Sequence, residues 1–161
     1  MCFKQKWTKF EPTQNYLDAV KDITTISKLQ TFLKKIEYKH EEVDTWETPE
    51  ETLNQGFSDC DSFARLALDI LVRIQKLKDV RFVVYTGYKE TDGVEKYSGH
   101  AVCVFPNYES LGVFSNYQYF YNKDNLIEVG HIFYPKGIKY MEVRNDEGKV
   151  TSRKFKLFGR I

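Results

Sequence analysis

This chain has few of the features that would mark a secreted, membrane-bound or nucleic-acid-binding protein. Its 161 residues include only three cysteines, and an odd number without framework spacing favours free thiols in a reducing compartment. No apolar run approaches the roughly 20 residues that span a bilayer, and the first ten residues lack the apolar core of a signal peptide. The formal net charge is only +1, so no basic patch for nucleic acid is indicated. We therefore expect a cytoplasmic protein that binds neither membranes nor nucleic acid.

The spacings of known metal sites are also missing. Neither Cys-x-x-Cys nor His-Glu-x-x-His occurs, and the sequence therefore predicts no metal site and no cofactor. The composition, with 42% hydrophobic and 29% charged residues, is that of a folded chain. A length of 161 residues fits a single domain over residues 1–161.

The first half of the chain has the periodicity of helices. Apolar residues share one helical face over 26–36. Thr48-Pro49-Glu50-Glu51 is a capping box with proline at the first helical position, and Gly56 is placed to end that short helix. A wide apolar stripe over 60–76 then predicts the central helix of the domain, with Asp59 or the preceding serine as its N-cap.

The second half has the composition of strands. From Val80 onward, β-branched and aromatic residues are separated by turn residues. Helices followed by consecutive strands predict an α+β fold, in which helices pack on an antiparallel sheet. The predicted strands are residues 80–89, 97–105, 113–121, 126–133, 138–143 and 150–158.

Cys60 stands between two aspartates at the predicted start of the central helix. A helix N-terminus favours the thiolate over the thiol, because backbone N–H groups and the positive end of the helix dipole point at the sulfur. The flanking carboxylates oppose ionisation, so a nucleophilic thiol there requires a basic partner. The alternative is that Cys60 is a small buried apolar residue, as most free cysteines are.

His100 is the best candidate for that basic partner. It begins a β-run after Gly99 and shares a strand face with Val102 and Val104. An imidazole on a strand that faces the N-terminus of a packed helix is the arrangement that a thiolate–imidazolium pair needs. The alternative is a structural histidine at a strand edge.

A third residue would orient the imidazole by accepting a hydrogen bond from its second nitrogen. The polar pair Ser115-Asn116 interrupts the next aromatic strand. Asn116 is the better acceptor and our first choice, and Ser115 is the alternative third member. The pair could equally mark a bulge or a turn.

Residues 44–64, DTWETPEETLNQGFSDCDSFA, resemble the transglutaminase-like superfamily of papain-fold cysteine enzymes, which includes bacterial transglutaminase-like cysteine peptidases. That family shows a tryptophan, a Pro-Glu-Thr-Leu-like helix start and then Gly-Asp-Cys-x-Asp-Phe/Tyr-Ala. Its histidine follows in a His-Ala-Val context, which residues 99–102 match. The family's glycine is Ser58 here, and its aspartate falls on Ser115 or Asn116.

The resemblance implies a papain-like α+β fold and a hydrolase or acyl-transferase that acts on amide bonds of a protein or peptide, in a bacterial or phage setting. Cys60 would form a thioester, His100 would transfer the proton and Asn116 would orient His100. Gln55 precedes the cysteine much as the papain oxyanion glutamine does. Trp46 corresponds to an aromatic wall near the thiol, although core packing is the favoured interpretation of this residue. Both are therefore candidates for oxyanion or substrate binding.

Two other functions fit parts of the same sequence. Residues 59–63, Asp-Cys-Asp-Ser-Phe, also resemble the Asp-Cys-Ser-Gly-Phe signature of NlpC/P60 cell-wall peptidases and amidases, although the Ser-Gly pair is absent. Ser115 in place of the family aspartate would also fit a catalytically inactive papain-fold module that binds a partner protein.

Overall fold

The computed structural model describes residues 7–40 and 46–157. In these two ranges helices precede a large antiparallel sheet, so the predicted α+β class is confirmed. The elements, in chain order, are α1 (Gln14–Val20), α2 (Ile26–Leu33), β1 (Glu37–Tyr38), α3 (Pro49–Gln55), β2 (Phe57–Ser58), α4 (Cys60–Arg73), β3 (Arg81–Thr91), β4 (Val94–Asn107), β5 (Ser110–Ser115), β6 (Gln118–Lys123), α5 (Leu126–Phe133), β7 (Ile138–Arg144) and β8 (Val150–Leu157).

The caps of α2 and α3 form as the sequence predicts. The Thr25 side chain accepts from the backbone of α2. Thr48 and Glu51 form both bonds of a capping box at α3, which ends where Gly56 takes a φ of 77°. Glycine adopts this left-handed conformation without the steric cost of a Cβ. The sequence did not predict α1, which Thr13 caps.

The sheet has six strands in the order β6-β5-β4-β3-β7-β8, and all neighbouring strands are antiparallel. Residues alternate between its two faces. Phe82, Val84, Ala101 and Cys103 pack with α1, α2 and α4 in one buried cluster. Residues of the opposite face, such as Val102, pack with α5 in a second cluster. The sheet therefore has a helix layer on each side.

The predicted strand over residues 126–133 is wrong, since these residues form α5. The Asn125 side chain accepts from the backbone N–H of Glu128 and caps the helix. The predicted single strand over 113–121 is also wrong, because β5 and β6 are separated by a turn at Asn116 and Tyr117. Asn116 has a φ of 53°, a left-handed value that suits a turn and ends the strand.

Gly130 sets how closely α5 approaches the sheet. A Cβ at this position would lie 2.4 Å from Ile138 Cδ1 and 2.6 Å from Tyr85 Cε1. The Tyr85 hydroxyl donates to the Leu126 carbonyl at 2.6 Å, so the ring is held at both ends. Only glycine allows this packing without moving the helix.

Gly130→Ala is therefore expected to lower the free energy of unfolding by about 1–2 kcal/mol, because overpacking outweighs the gain in helix propensity. Urea denaturation measures the change. Ile138→Val removes the Cδ1 methyl that the new Cβ would meet, so the double variant should regain part of the loss. An unchanged stability of Gly130→Ala would contradict this account of the packing.

Candidate active site

The candidate nucleophile, Cys60, is the first residue of α4. Asp59 is the N-cap, with extended backbone angles and no side-chain cap bond, and its carbonyl accepts from Phe63 N at 3.1 Å. The preceding residues are held by β2, which pairs in parallel with β1. Cys60 is partly buried and is not in a disulfide. The thiol thus lies where free backbone N–H groups of a helix favour its ionised form.

His100 lies on β4, and its Nε2 atom is 2.7 Å from Ser115 Oγ at the end of β5. The ring packs against Phe133 of α5, with 4.6 Å between ring centroids. Burial lowers the pKa of His100 to about 4, and the positive charge of Lys89 acts in the same direction. The imidazole is therefore neutral at pH 7 and can act as a base.

The residue that hydrogen-bonds to His100 is Ser115, the alternative named from the sequence, and not the first choice, Asn116. The orienting role of either residue stays a prediction. Asn116 takes the left-handed turn conformation, which carries it off the end of the strand. Its Oδ1 is buried and has no hydrogen-bond partner within the described residues. Ser115, as the last strand residue, keeps its side chain toward the imidazole.

The position of Cys60 along the direction of β3 can be estimated from the lengths of α4 and of the segment that follows it. The short connection of residues 74–80 returns α4 antiparallel to β3. The 14 residues of α4 span about 21 Å at about 1.5 Å each, which matches about six strand residues at about 3.3 Å each. These lengths predict that Cys60 lies near the level of Thr86, whose partner across the sheet is Gly99, next to His100.

The faces of β4 add a constraint that the sequence prediction did not resolve. Val102 and Val104, which alternate with Ala101 and Cys103, belong to the cluster around α5. His100 shares that face and contacts Phe133, whereas the body of α4 packs on the other face. The pairing of Cys60 with His100 therefore depends on the N-terminal end of α4, and it stays a prediction.

Tyr134, which the sequence analysis missed, contacts β4 close to His100. Its hydroxyl is 3.1 Å from Ser98 Oγ, two residues before His100 on β4. Burial raises the pKa of Tyr134 to about 12, and the negative charge of Cys60 adds to the rise. The thiol and the imidazole thus both lie near the C-terminal end of α5. The capping pattern at Asn125 was the sequence signal for this helix.

Gln55 is the last residue of α3, and its side chain is used locally. Nε2 donates to the Phe57 carbonyl at 2.7 Å and to Glu47 Oε1 at 3.5 Å. The amide therefore ties the end of α3 to β2. The role of Gln55 in oxyanion binding stays a prediction.

Trp46 packs in an aromatic cluster beside the sheet. Its ring is edge-on to Trp7, with 6.4 Å between centroids, and lies 5.5 Å from Phe82. The Arg144 guanidinium is 5.2 Å from the ring centroid. These contacts give Trp46 a packing role, and its role in substrate binding stays a prediction.

The two described cysteines should differ strongly in reactivity. Cys103 is fully buried in the sheet, and burial raises its pKa. Because only the thiolate reacts, iodoacetamide should label Cys60 in the folded protein and leave Cys103 unmodified. Peptide mass spectrometry gives both rates, and both should become fast in 6 M guanidinium. Equal rates in the folded protein would contradict the prediction. Cys2 and the start of the motif, Asp44 and Thr45, lie outside the described residues.

No group of three or more metal-ligating side chains was found within residues 7–40 and 46–157. In the same ranges, no helix has the length and apolar character needed to cross a membrane.

Comparison with known proteins gives a partial likeness of structure only. No family model matches the chain, and no curated protein matches it. Among solved structures, calcium-bound Legionella pneumophila LapG is similar at 20% identity and a TM-score of 0.47, over 66% of this chain and 62% of that chain. Two other LapG structures, one of them EGTA-treated, have TM-scores of 0.46 and cover 63% and 61% of their chains. The match therefore spans less than two-thirds of LapG.

Proposed function

We propose that the protein is a transglutaminase-like cysteine hydrolase or acyl-transferase that acts on amide bonds of a protein or peptide substrate. The observation that supports this best is the hydrogen bond between His100 and Ser115, in a chain whose candidate thiol begins a helix. We therefore propose Cys60, His100 and Ser115 as the catalytic set, with Ser115 in the place first given to Asn116. The sequence motif around Cys60 supports the same class.

In the proposed reaction the Cys60 sulfur attacks the amide carbonyl carbon, and the C–N bond breaks as a thioester forms. The thiol proton passes to His100 and then to the leaving amine. Because His100 Nε2 is hydrogen-bonded to Ser115 Oγ, the proton transfer uses His100 Nδ1. The backbone N–H of Cys60, at the start of α4, is placed to stabilise the oxyanion. Water or an amine then attacks the thioester, and the thiol is regenerated.

The experiment that tests the proposal compares wild type with Cys60→Ser on an unfolded protein, reduced and alkylated casein. Three products are measured in parallel: new amino termini, released ammonia and incorporated dansylcadaverine. They report peptide cleavage, deamidation and transamidation, respectively. Product above the Cys60→Ser background in any channel supports the proposal, and background levels in all three contradict it.

A second candidate function is a catalytically inactive binding module with the same fold. Two observations favour it. A serine hydroxyl, that of Ser115, stands where the resembling family has an orienting carboxylate. The imidazole of His100 lies on the face of β4 opposite the body of α4. Such a module would give a Cys60 whose labelling by iodoacetamide does not change in His100→Ala. An active enzyme would show a marked loss of Cys60 reactivity in that variant.

A further inference from the structure

A row of aromatic side chains crosses four strands on the α4 face of the sheet. We call Tyr88, Tyr97, Tyr140 and Phe155 the aromatic platform. Tyr88 and Tyr97 are cross-strand partners with 5.4 Å between ring centroids. Tyr140 and Phe155 are also partners, with 4.8 Å between centroids. Thr86 joins the two pairs, because it lies opposite Tyr140 and accepts from the Tyr97 hydroxyl at 2.7 Å.

The platform is unusually open for a set of large apolar rings. Tyr88, Tyr97 and Phe155 are 43%, 55% and 70% exposed. Phe82 and Val84, earlier on β3 and on the same face, are covered by the helix layer. The sheet therefore continues past the N-terminus of α4 with its aromatic face uncovered. A contiguous exposed apolar patch of this kind marks a binding surface more often than an ordinary one.

The predicted level of Cys60 brings the platform close to the candidate thiol. If Cys60 lies at the level of Thr86, the uncovered face begins where α4 begins. Tyr38, on β1, pairs with Ser58 of β2 and is 47% exposed. Burial raises the pKa of Tyr38, and the negative charges of Cys60, Asp59 and Asp61 contribute to the rise. Tyr38 is therefore an exposed aromatic side chain near the thiol.

Hydrogen bonds hold two rings of the platform, Tyr97 and Tyr140, and cations lie beside the platform. The Tyr140 hydroxyl donates to Glu142 Oε2 at 2.7 Å. Glu142 is buried and also binds Arg144 at 2.9 Å and Arg153 at 3.2 Å, so two cations offset one carboxylate. Lys139 Nζ lies 5.9 Å from the Tyr88 ring. Fixed rings lose little entropy on binding, and the excess of cations attracts negative charge.

We propose that the aromatic platform binds an extended segment of the polypeptide substrate that carries an aromatic residue next to an acidic one. This rests on the proposed function, because it places the scissile amide at Cys60 and the aromatic residue on the exposed sheet. An extended chain suits an open sheet face, and an aromatic side chain stacks on rings of fixed orientation. The basic surroundings select the acidic neighbour.

Binding is measured by fluorescence anisotropy with the Cys60→Ser protein, so that no peptide is consumed. The probes are labelled Gly/Ser decapeptides with a central Phe-Glu, Ala-Glu or Phe-Lys pair. The Phe-Glu peptide should bind about tenfold more tightly than Ala-Glu and more tightly than Phe-Lys. Tyr88→Ser and Phe155→Ser should each reduce its affinity several-fold. Tyr108→Ser is the matched control, because Tyr108 is fully exposed at the far end of β4.

Equal affinities for Phe-Glu and Ala-Glu, no detectable binding up to millimolar peptide, or an equal loss in Tyr108→Ser would overturn the platform. Thermal melting of each variant checks that the fold is kept. The two proposals fail separately in these assays. Selective peptide binding without any casein product would contradict the proposed enzymatic function and support the platform as a binding surface. Casein products without selective binding would contradict only the binding role of the platform.

Discussion

Replacing His100 with alanine is expected to lower the turnover of casein by about 10²–10⁴-fold, the usual contribution of a positioned general base. In the proposed mechanism the neutral imidazole takes the Cys60 proton, and no other described histidine lies on β4. His40→Ala is the matched control, because His40 is exposed and precedes α3 in the chain. It should retain the wild-type rate.

The same experiment distinguishes a catalytic role of His100 from a packing role on the α5 face of the sheet. An unchanged rate in His100→Ala would show that the imidazole serves the packing around Phe133 and not the thiol. The pH profile gives a second readout. Since the pKa of His100 is lowered to about 4, the activity of the wild type should fall only as the pH drops toward about 4. An ordinary histidine would lose the base form near pH 6.5.

Ser115→Asp is expected to have the second largest effect, and the effect is an increase in the reactivity of the Cys60 thiol. A carboxylate at this position faces Nε2 of His100 and favours the imidazolium, so the pKa of His100 should rise by about one unit or more. The thiolate–imidazolium pair would then form before substrate binds. We expect labelling of Cys60 at pH 6 to accelerate by about tenfold. Ser115→Asn is the neutral control and should leave the pH profile in place.

The pH dependence of stability changes with the same substitution. In the wild type the unfolded chain takes up a proton at His100 near pH 6.5, while the folded protein does so only near pH 4. The contribution of this group to stability is therefore present above pH 6.5 and is lost as the pH falls toward 4. Ser115→Asp should reduce or reverse that loss. Urea titrations at pH 7 and 5 measure it, and a pH dependence equal to that of Ser115→Asn would contradict the altered pKa.

The capped helices α2 and α3 could be predicted from the sequence, whereas α1 and α5, which Thr13 and Asn125 also cap, could not. Thr48, Glu51 and Gly56 define α3 by local hydrogen bonds and a left-handed residue. Residues 126–133 are short, apolar and β-branched in part, a composition that a strand and a buried helix share. Asn116 turns the chain without the glycine that usually marks a hairpin, so the sequence predicts one strand where the structure has β5 and β6.

In the candidate site, too, local features could be predicted from the sequence and features that depend on strand pairing could not. Cys60 at a helix start is a local property, and the structure places it there. The residue beside His100 depends on where β5 ends, and a difference of one residue exchanges Ser115 for Asn116. The aromatic platform depends on the pairing of β3, β4, β7 and β8, which periodicity within one strand does not reveal. Long-range register therefore decided what local patterns could not.

The order of the strands leaves the sheet open, with β6 and β8 at its two edges. An open edge offers unpaired backbone groups to any other extended chain, which is a route to aggregation. Arg153 and Lys154 stand side by side on β8, so an added strand would have to accommodate two adjacent positive charges. At the other edge, β6 is only six residues long, and its pairing with β5 is irregular between Leu111 and Val113. Charge protects one border of the sheet, and short, irregular pairing protects the other.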